Sequence, residues 1–359
     1  MRYDVKTSSS SAAIDQLIPI WERVLQRTPI SVNDNFFDLG GDSLLAVNLF
    51  FEIEQAFGRE MPPVMIYQAP TIAALAAELE LPSASRFPAL VLLKPGNNEP
   101  PIFIAHGLGG SVIDFYQLVK YIDSPQPIYG MQARGIDGVD EPFDRIEDLA
   151  QFYLDAIKEI QPGGPYYLVG YSLGGLVTLE MAQRLTQDGK KVALLALLES
   201  YPYSKFLSFG QRMRLAARVA RHRAHTLSQL PFCDAVSYIM LPSRRRFYFA
   251  RIINQNGNGN SRNALPNAEV VSPTMQRARD TAYLALSRYQ PRHYSGKIKF
   301  VRAEILTDFP ADPVAAWKNL VAEFECTTVP GDHLGIVGTH FESLGSAISK
   351  YLRESSQSW

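Results

Sequence analysis

The 359-residue chain is 46% hydrophobic and 20% charged, the composition of a globular protein long enough for one large domain and one small one. No run approaches eighteen apolar residues, and the opening MRYDVKTSSSSAAID lacks the apolar core of a secretory signal. This argues against a membrane segment and predicts a cytoplasmic protein. Two distant cysteines, Cys233 and Cys326, form no Cys/His cluster, so neither a disulfide framework nor a metal site is expected and both are read as packing residues. The net charge of −1 hides an acidic head: Met1–Glu80 holds 5 Lys and Arg against 11 Asp and Glu, a net −6. The remaining +5 is concentrated in Tyr201–Lys299, a bias suited to an acidic partner; no nucleic-acid or membrane partner is expected.

In the head, Ile14, Leu17, Ile18, Trp21 and Val24 recur at helical spacing and predict a first helix. A Pro29–Gly41 loop follows, with Phe36, Phe37 and Leu39 as expected core anchors, and then a second helix from about Ser43 to Phe57. Short helices are expected near Pro63–Tyr67 and over Thr71–Leu79, the latter started by Pro70 and Thr71. Residues 1–80 thus read as a small all-α four-helix unit. Leu81–Pro88 (LPSASRFP) has linker composition, and eight extended residues span at most roughly 26–29 Å.

From Ala89 onward, over residues 89–359, apolar strands alternate with helical stretches, the pattern of an α/β sheet covered on both faces. Strands are predicted at Ala89–Lys94, Pro101–Ala105, Ile128–Gln132, Tyr166–Tyr171, Val192–Leu198, Lys297–Ala303 and Glu323–Val329. Helices are predicted at Val112–Ile122, Ile146–Ile160, Leu173–Gln187, Pro313–Val321 and Phe341–Arg353. Between Ser200 and Gly296 the alternation breaks into Arg-rich helical segments and the Asn/Gly run Asn254–Asn263, so about 201–296 reads as a helical lid insertion.

The most specific local signal is Gly170–Tyr171–Ser172–Leu173–Gly174, a G-x-S-x-G run between the strand YYLVG and the helix LVTLEMAQRL. A sharp strand-to-helix turn there exposes a hydroxyl at a helix N-terminus, the nucleophile elbow of an α/β-hydrolase fold. A serine needs a base, and in this fold the chain order is Ser, acid, His. Among six histidines, His333 in VPGDHLGIV follows the last predicted strand and is the expected base, with His340 in reserve and expected to pack in the final helix. His106 precedes Ser172 in the chain, His222 and His225 read as part of a solvated cationic face, and His293 falls in a polar turn. The acid that orients the imidazole is expected at Glu199, at the end of VALLALLE, with Asp308 and Asp312 as alternatives. Two N–H donors for an oxyanion are expected from Leu173 and from Leu108 in the Gly-rich run His106–Gly110.

The run Asp38–Leu44 (DLGGDSL) is compatible with a helix N-cap at Asp42 or Ser43. With NDNFF before it and a helix after it, it also resembles the peptidyl and acyl carrier proteins of nonribosomal peptide and polyketide synthases, over about Ile14–Leu79. That resemblance implies covalent 4′-phosphopantetheine on Ser43, with Asp42 in the surface read by a phosphopantetheinyl transferase. Pro101–Leu352 resembles the type I thioesterase domains of such assembly lines, through AHG, GYSLGG, the strand before SYP, and PGDH. It implies Ser172 as nucleophile and His333 as base; the family's usual Asp is Glu199 here. An acyl or peptidyl thioester would pass from Ser43 to Ser172 and leave by hydrolysis or cyclisation. Non-hydrolytic or carbon–carbon bond-forming release, and a carrier docking module beside an inert hydrolase, are the alternatives. The expected partners are upstream synthase modules or a loading enzyme, with the chain either the C-terminal part of a larger synthase or free-standing.

Overall fold

The computed structural model describes residues 6–41, 43–59, 61, 63, 65–80, 87–202, 207–229, 273–306 and 309–356. In the acidic head the apolar stripe lies on α1 (Lys6–Leu25), followed by α2 (Ser43–Phe57), α3 (Met65–Gln68) and α4 (Ile72–Glu80). Leu17, Trp21, Phe36, Leu49 and Ile66 are fully buried in its core. The Trp21 ring meets the Phe36 ring edge-on at 5.4 Å. α1 begins well before the apolar stripe, since KTSSSSAA contains no Gly or Pro to stop a helix.

The second part is a seven-stranded sheet, with β1 (Leu90–Lys94), β2 (Ile102–Ala105), β3 (Ile128–Met131), β4 (Tyr166–Tyr171), β5 (Val192–Leu198), β6 (Tyr294–Ala303) and β7 (Val321–Val329). Its order is β1-β3-β2-β4-β5-β6-β7, antiparallel at β1·β3 and parallel elsewhere. The central strands are buried on both sides, and successive side chains enter opposite cores as the two-residue strand period demands. Thus Ile102, Ile104, Tyr167, Val169, Ala196 and Leu198 face one layer. Phe103, Ala105, Tyr166, Leu168, Leu195 and Leu197 face the other. The first layer is closed by α5 (Phe115–Lys120) and the C-terminal helix (Phe341–Ser356), the second by α6 (Ile146–Ile160) and α7 (Leu173–Gln187).

The described part of the insertion contributes α8 (Phe209–Gln229) and α9 (Pro273–Arg288); short α10 (Pro313–Trp317) and α11 (Gly335–Gly338) precede the C-terminal helix, α12. Arg244–Arg246, Asn254–Asn263 and Cys233 lie outside the described residues. The predicted β4, β5, α2, α6 and α7 coincide with the observed elements. α5 is shorter than expected, because Val112–Tyr116 forms tight turns from Phe115 N–H to Val112 O and from Tyr116 N–H to Ile113 O. β6 begins three residues early: Tyr294 is buried and its N–H donates to Leu320 O, so the insertion ends before residue 296. Cys326 is not a packing residue; it is exposed on β7, the edge strand. His340 lies just ahead of α12 rather than in it, on the exposed surface beside Gly331.

Candidate functional site

The loops at the C-terminal ends of β2, β4, β5 and β7 carry the residues singled out by the sequence. Ser172 sits between β4 and α7 with φ 54° and ψ −117°, a conformation that costs a non-glycine residue about 1–3 kcal/mol. The turn is held by packing. A Cβ on Gly174 would lie 2.3 Å from His106 O, and one on Gly170 would lie 2.4 Å from Gly174 O. Both glycines therefore let α7 start directly against β2 and β4. The first turn of α7 leaves the Leu173 N–H without an intrahelical acceptor, at the positive end of the helix dipole.

His333 follows β7 in a turn made by Gly331, whose φ is +95°. Its Nε2 lies 3.1 Å from Ser172 Oγ. The imidazole is 5.1 Å from the Tyr171 ring at 26° and 4.3 Å from the Phe309 ring at 33°. Tyr171 also donates its hydroxyl to His333 O at 2.6 Å, so one side chain fixes both backbone and ring. His340 packs against Gly331, where a Cβ would lie 2.4 Å from its ring, and so braces the His333 turn.

Glu199 directly follows β5, with φ 46°, and faces His333 Nδ1 through Oε2 at 3.5 Å, both side chains buried. Its Oε1 accepts the Ala303 N–H at 2.7 Å and the Tyr201 hydroxyl at 3.3 Å. Tyr201 is held protonated because burial, followed by the Glu199 charge, pushes its phenol far up. Of the alternative acids, Asp312 instead caps α10 by accepting the Ala315 N–H at 2.9 Å, and Asp308 lies outside the described residues.

The Gly-rich turn after β2 has a support the sequence did not signal. His106 is buried, and burial lowers its pKa to about 4, so the ring is neutral. Its Nδ1 pairs with Gly107 O, which also accepts the Gly110 N–H at 3.2 Å. With the carbonyl of the planar Gly107–Leu108 peptide engaged on one side, the Leu108 N–H points to the other. At the head, α2 starts at Ser43, two residues after Gly41, whose Cβ would collide with the Phe36 ring and which follows Gly40 with φ +96°. Asp42 and the side chain of Ser43 lie outside the described residues.

Sequence reasoning missed three contributors: His106, Tyr201 and the aromatic pair around His333. An aromatic's distance along the chain says nothing of which ring it will face. Among the described residues no group of His, Cys, Asp and Glu could hold a metal ion, and no helix is long and apolar enough to cross a membrane.

A family model of the thioesterase domain matches residues 100–352, and one of the phosphopantetheine attachment site matches residues 15–79. The chain is 41% identical over 187 residues to a dimodular nonribosomal peptide synthase of Bacillus subtilis (strain 168), covering 52% of this chain and 8% of that protein. To an indigoidine synthase of Dickeya dadantii (strain 3937) it is 37% identical over 183 residues, covering 51% and 12%. To an atromentin synthetase of Tapinella panuoides it is 35% identical over 185 residues, covering 50% and 19%. The chain spans less than a fifth of the length of these relatives. Among solved structures, a four-domain nonribosomal peptide synthetase bound to AMP and glycine aligns at TM-score 0.58 with 24% identity, over 94% of this chain and 26% of that one. The NocB thioesterase domain, in covalent complex with a nocardicin G analogue, aligns at TM-score 0.50 with 20% identity, over 71% and 95%. These two likenesses are of fold.

Proposed function

Because the chain belongs to the thioesterase domain family and carries a phosphopantetheine attachment domain beside it, we propose that it releases acyl or peptidyl chains from a carrier by way of an acyl-Ser172 ester. The observation that carries this reading is the 3.1 Å approach of Ser172 Oγ to His333 Nε2, with Glu199 behind Nδ1. The proposed division is a carrier over residues 1–80, a linker over 81–88 and a hydrolase over 89–359.

Ser43 is the proposed attachment residue. It opens a fifteen-residue helix, where a phosphodiester would meet the amide-rich positive end, so the site suits the group chemically. When attached, phosphopantetheine supplies a thiol on a flexible arm that holds the acyl chain as a thioester. The hydrolase then acts through its own residues. His333 Nε2 takes the Ser172 Oγ proton as the oxygen attacks the thioester carbonyl, and the Leu108 and Leu173 N–H groups bind the developing oxyanion. Glu199 accepts the Nδ1 proton in a hydrogen bond and stabilises the imidazolium. The imidazolium protonates the departing thiolate, and His333 serves as base again for water or a nucleophile on the acyl chain. A phosphopantetheinyl transferase and upstream synthase modules are the implied partners.

Intact mass spectrometry of the pantetheinylated, acyl-loaded chain tests the reading. The acyl mass should persist on Ser172→Ala and vanish from the native chain; equal loss from both would sink the serine mechanism. Ser43→Ala should gain no pantetheine mass, and a gain would move the attachment site.

A further inference from the structure

We propose that Tyr116 and Ile113, at the start of α5, form the surface on which the carrier docks, and that Phe37 of the carrier is the residue that reads it. This rests on the transfer from carrier to Ser172 proposed above. Phe37 stands on a loop of a small helical unit, yet it is only 6% exposed. Its ring is stacked on that of Tyr116 at 3.9 Å and 23°, and its edge is closed by Phe36 at 5.4 Å. Ile113 and Tyr116 are the α5-side apolar groups that pack against the carrier core. Phe87, at the end of the linker, packs against both that core and the sheet, and its N–H donates to Asp137 Oδ2 at 2.9 Å.

Both sides of the contact are short rigid extensions of reactive loops. On the carrier side Gly40 N–H donates to Phe37 O and Gly41 N–H to Phe36 O, and α2 opens two residues later at Ser43. On the other side Ala133 N–H donates to Gly110 O, and Ser111 Oγ accepts the Ile113 N–H at 3.1 Å, tying Tyr116 to the turn that carries Leu108. The stack therefore joins the loop that leads to Ser43 to the loop that leads to Leu108. Charge agrees with the pairing. Lys120 Nζ lies 4.5 Å from the Tyr116 ring centroid, beside an acidic carrier. Burial and then the nearby Asp38 push the Tyr116 phenol up, so it stays neutral in the contact. One aromatic stack with a few flanking groups is a weak interface, as befits a carrier that must also leave.

The test uses the full chain with a hexanoyl-pantetheine arm installed from hexanoyl-coenzyme A, and hexanoyl-N-acetylcysteamine as a free thioester. Tyr116→Ala should slow single-turnover loss of hexanoate from the carrier by about tenfold, the loss of one aromatic contact of moderate strength. Turnover of the free thioester should stay within about twofold of the native rate, and Tyr116→Phe should restore the carrier rate. Equal carrier rates in Tyr116→Ala and the native chain would overturn the docking surface, as would a parallel loss of both activities. A native chain inactive on both thioesters would instead count against the hydrolytic reading. The contact itself is read without turnover by an Asp38→Cys/Lys120→Cys pair, which flanks the stack and leaves both rings in place, in a Cys233→Ser/Cys326→Ser background. A short bismaleimide should link the pair rapidly and intramolecularly, and failure to do so would overturn the proposal.

Discussion

Glu199 stands where its longer side chain has work for both oxygens, one facing His333 Nδ1 and the other held by the Ala303 N–H and the Tyr201 hydroxyl. Glu199→Gln keeps the shape but offers an amide where the imidazole needs an acceptor charge. Its kcat on a small thioester should fall by about 10³–10⁴-fold, the scale seen when a triad carboxylate becomes an amide. A near-normal rate would move the role elsewhere. Phe309 acts on the same imidazole from its face. An aromatic pair is worth about 0.5–1.5 kcal/mol, so Phe309→Leu should lower kcat up to about tenfold with little change in KM. A KM effect alone would assign Phe309 to substrate binding. His106 gives a pH signature. Its folded pKa of about 4 lies below the ordinary 6.5, so the unfolded chain binds the extra proton between those values. Stability linked to this ring is complete above about pH 6.5 and is lost as pH falls towards 4, an effect of about 3 kcal/mol. Thermal midpoints of His106→Asn measured over that window should slope less with pH than those of the native chain. Parallel slopes would mean that the ring is not buried neutral.

At the scale of elements, the legible part of the fold is the part whose burial is uniform. β4, β5 and α7 were readable because they are apolar throughout or regularly periodic, and because the serine turn between β4 and α7 has a fixed glycine chemistry. The ends of α5, α10 and β6 were not, since single backbone bonds such as Tyr294 N–H to Leu320 O decide them and leave no trace in periodicity. Glu180 shows the same limit. It is buried and accepts from Arg184, Arg292 and Tyr289, pinning the end of α9 to α7, and two of those partners lie more than a hundred residues away. The proposed triad follows the order Ser, acid, His that the fold prescribes, whereas the stack around His333 unites residues 171, 309 and 333, which no local pattern links. The glycines give the sharpest test at this scale. Gly174→Ala would drive a methyl group into His106 O, so either α7 shifts or the serine turn opens. A loss of about 1–3 kcal/mol or more is expected in denaturant titration, with activity falling beyond what stability explains. An unchanged midpoint would show that α7 can retreat without cost.

For the whole molecule the decisive feature is that the buried apolar residues form separate cores. One lies inside the helical head, and two cover the faces of a single sheet and share its strands. The two sheet cores must be lost together, because each central strand serves both. Among the described residues the apolar contacts of the head with the sheet part come from Phe87, Ile113 and the Phe37–Tyr116 stack, so the head should unfold as its own cooperative unit. Trp21 tests this. It is fully buried and touches Phe36 edge-on, so Trp21→Ala should cost about 3–5 kcal/mol, most of the stability such a small unit possesses. Calorimetry of the native chain should then resolve two transitions, and Trp21→Ala should lower only the one belonging to the head. The variant should still turn over a free small thioester while accepting phosphopantetheine poorly, because the transferase reads a folded carrier and Ser172 does not depend on one. A single transition that moves as a whole would mean that the small contact couples the two units far more strongly than its area allows.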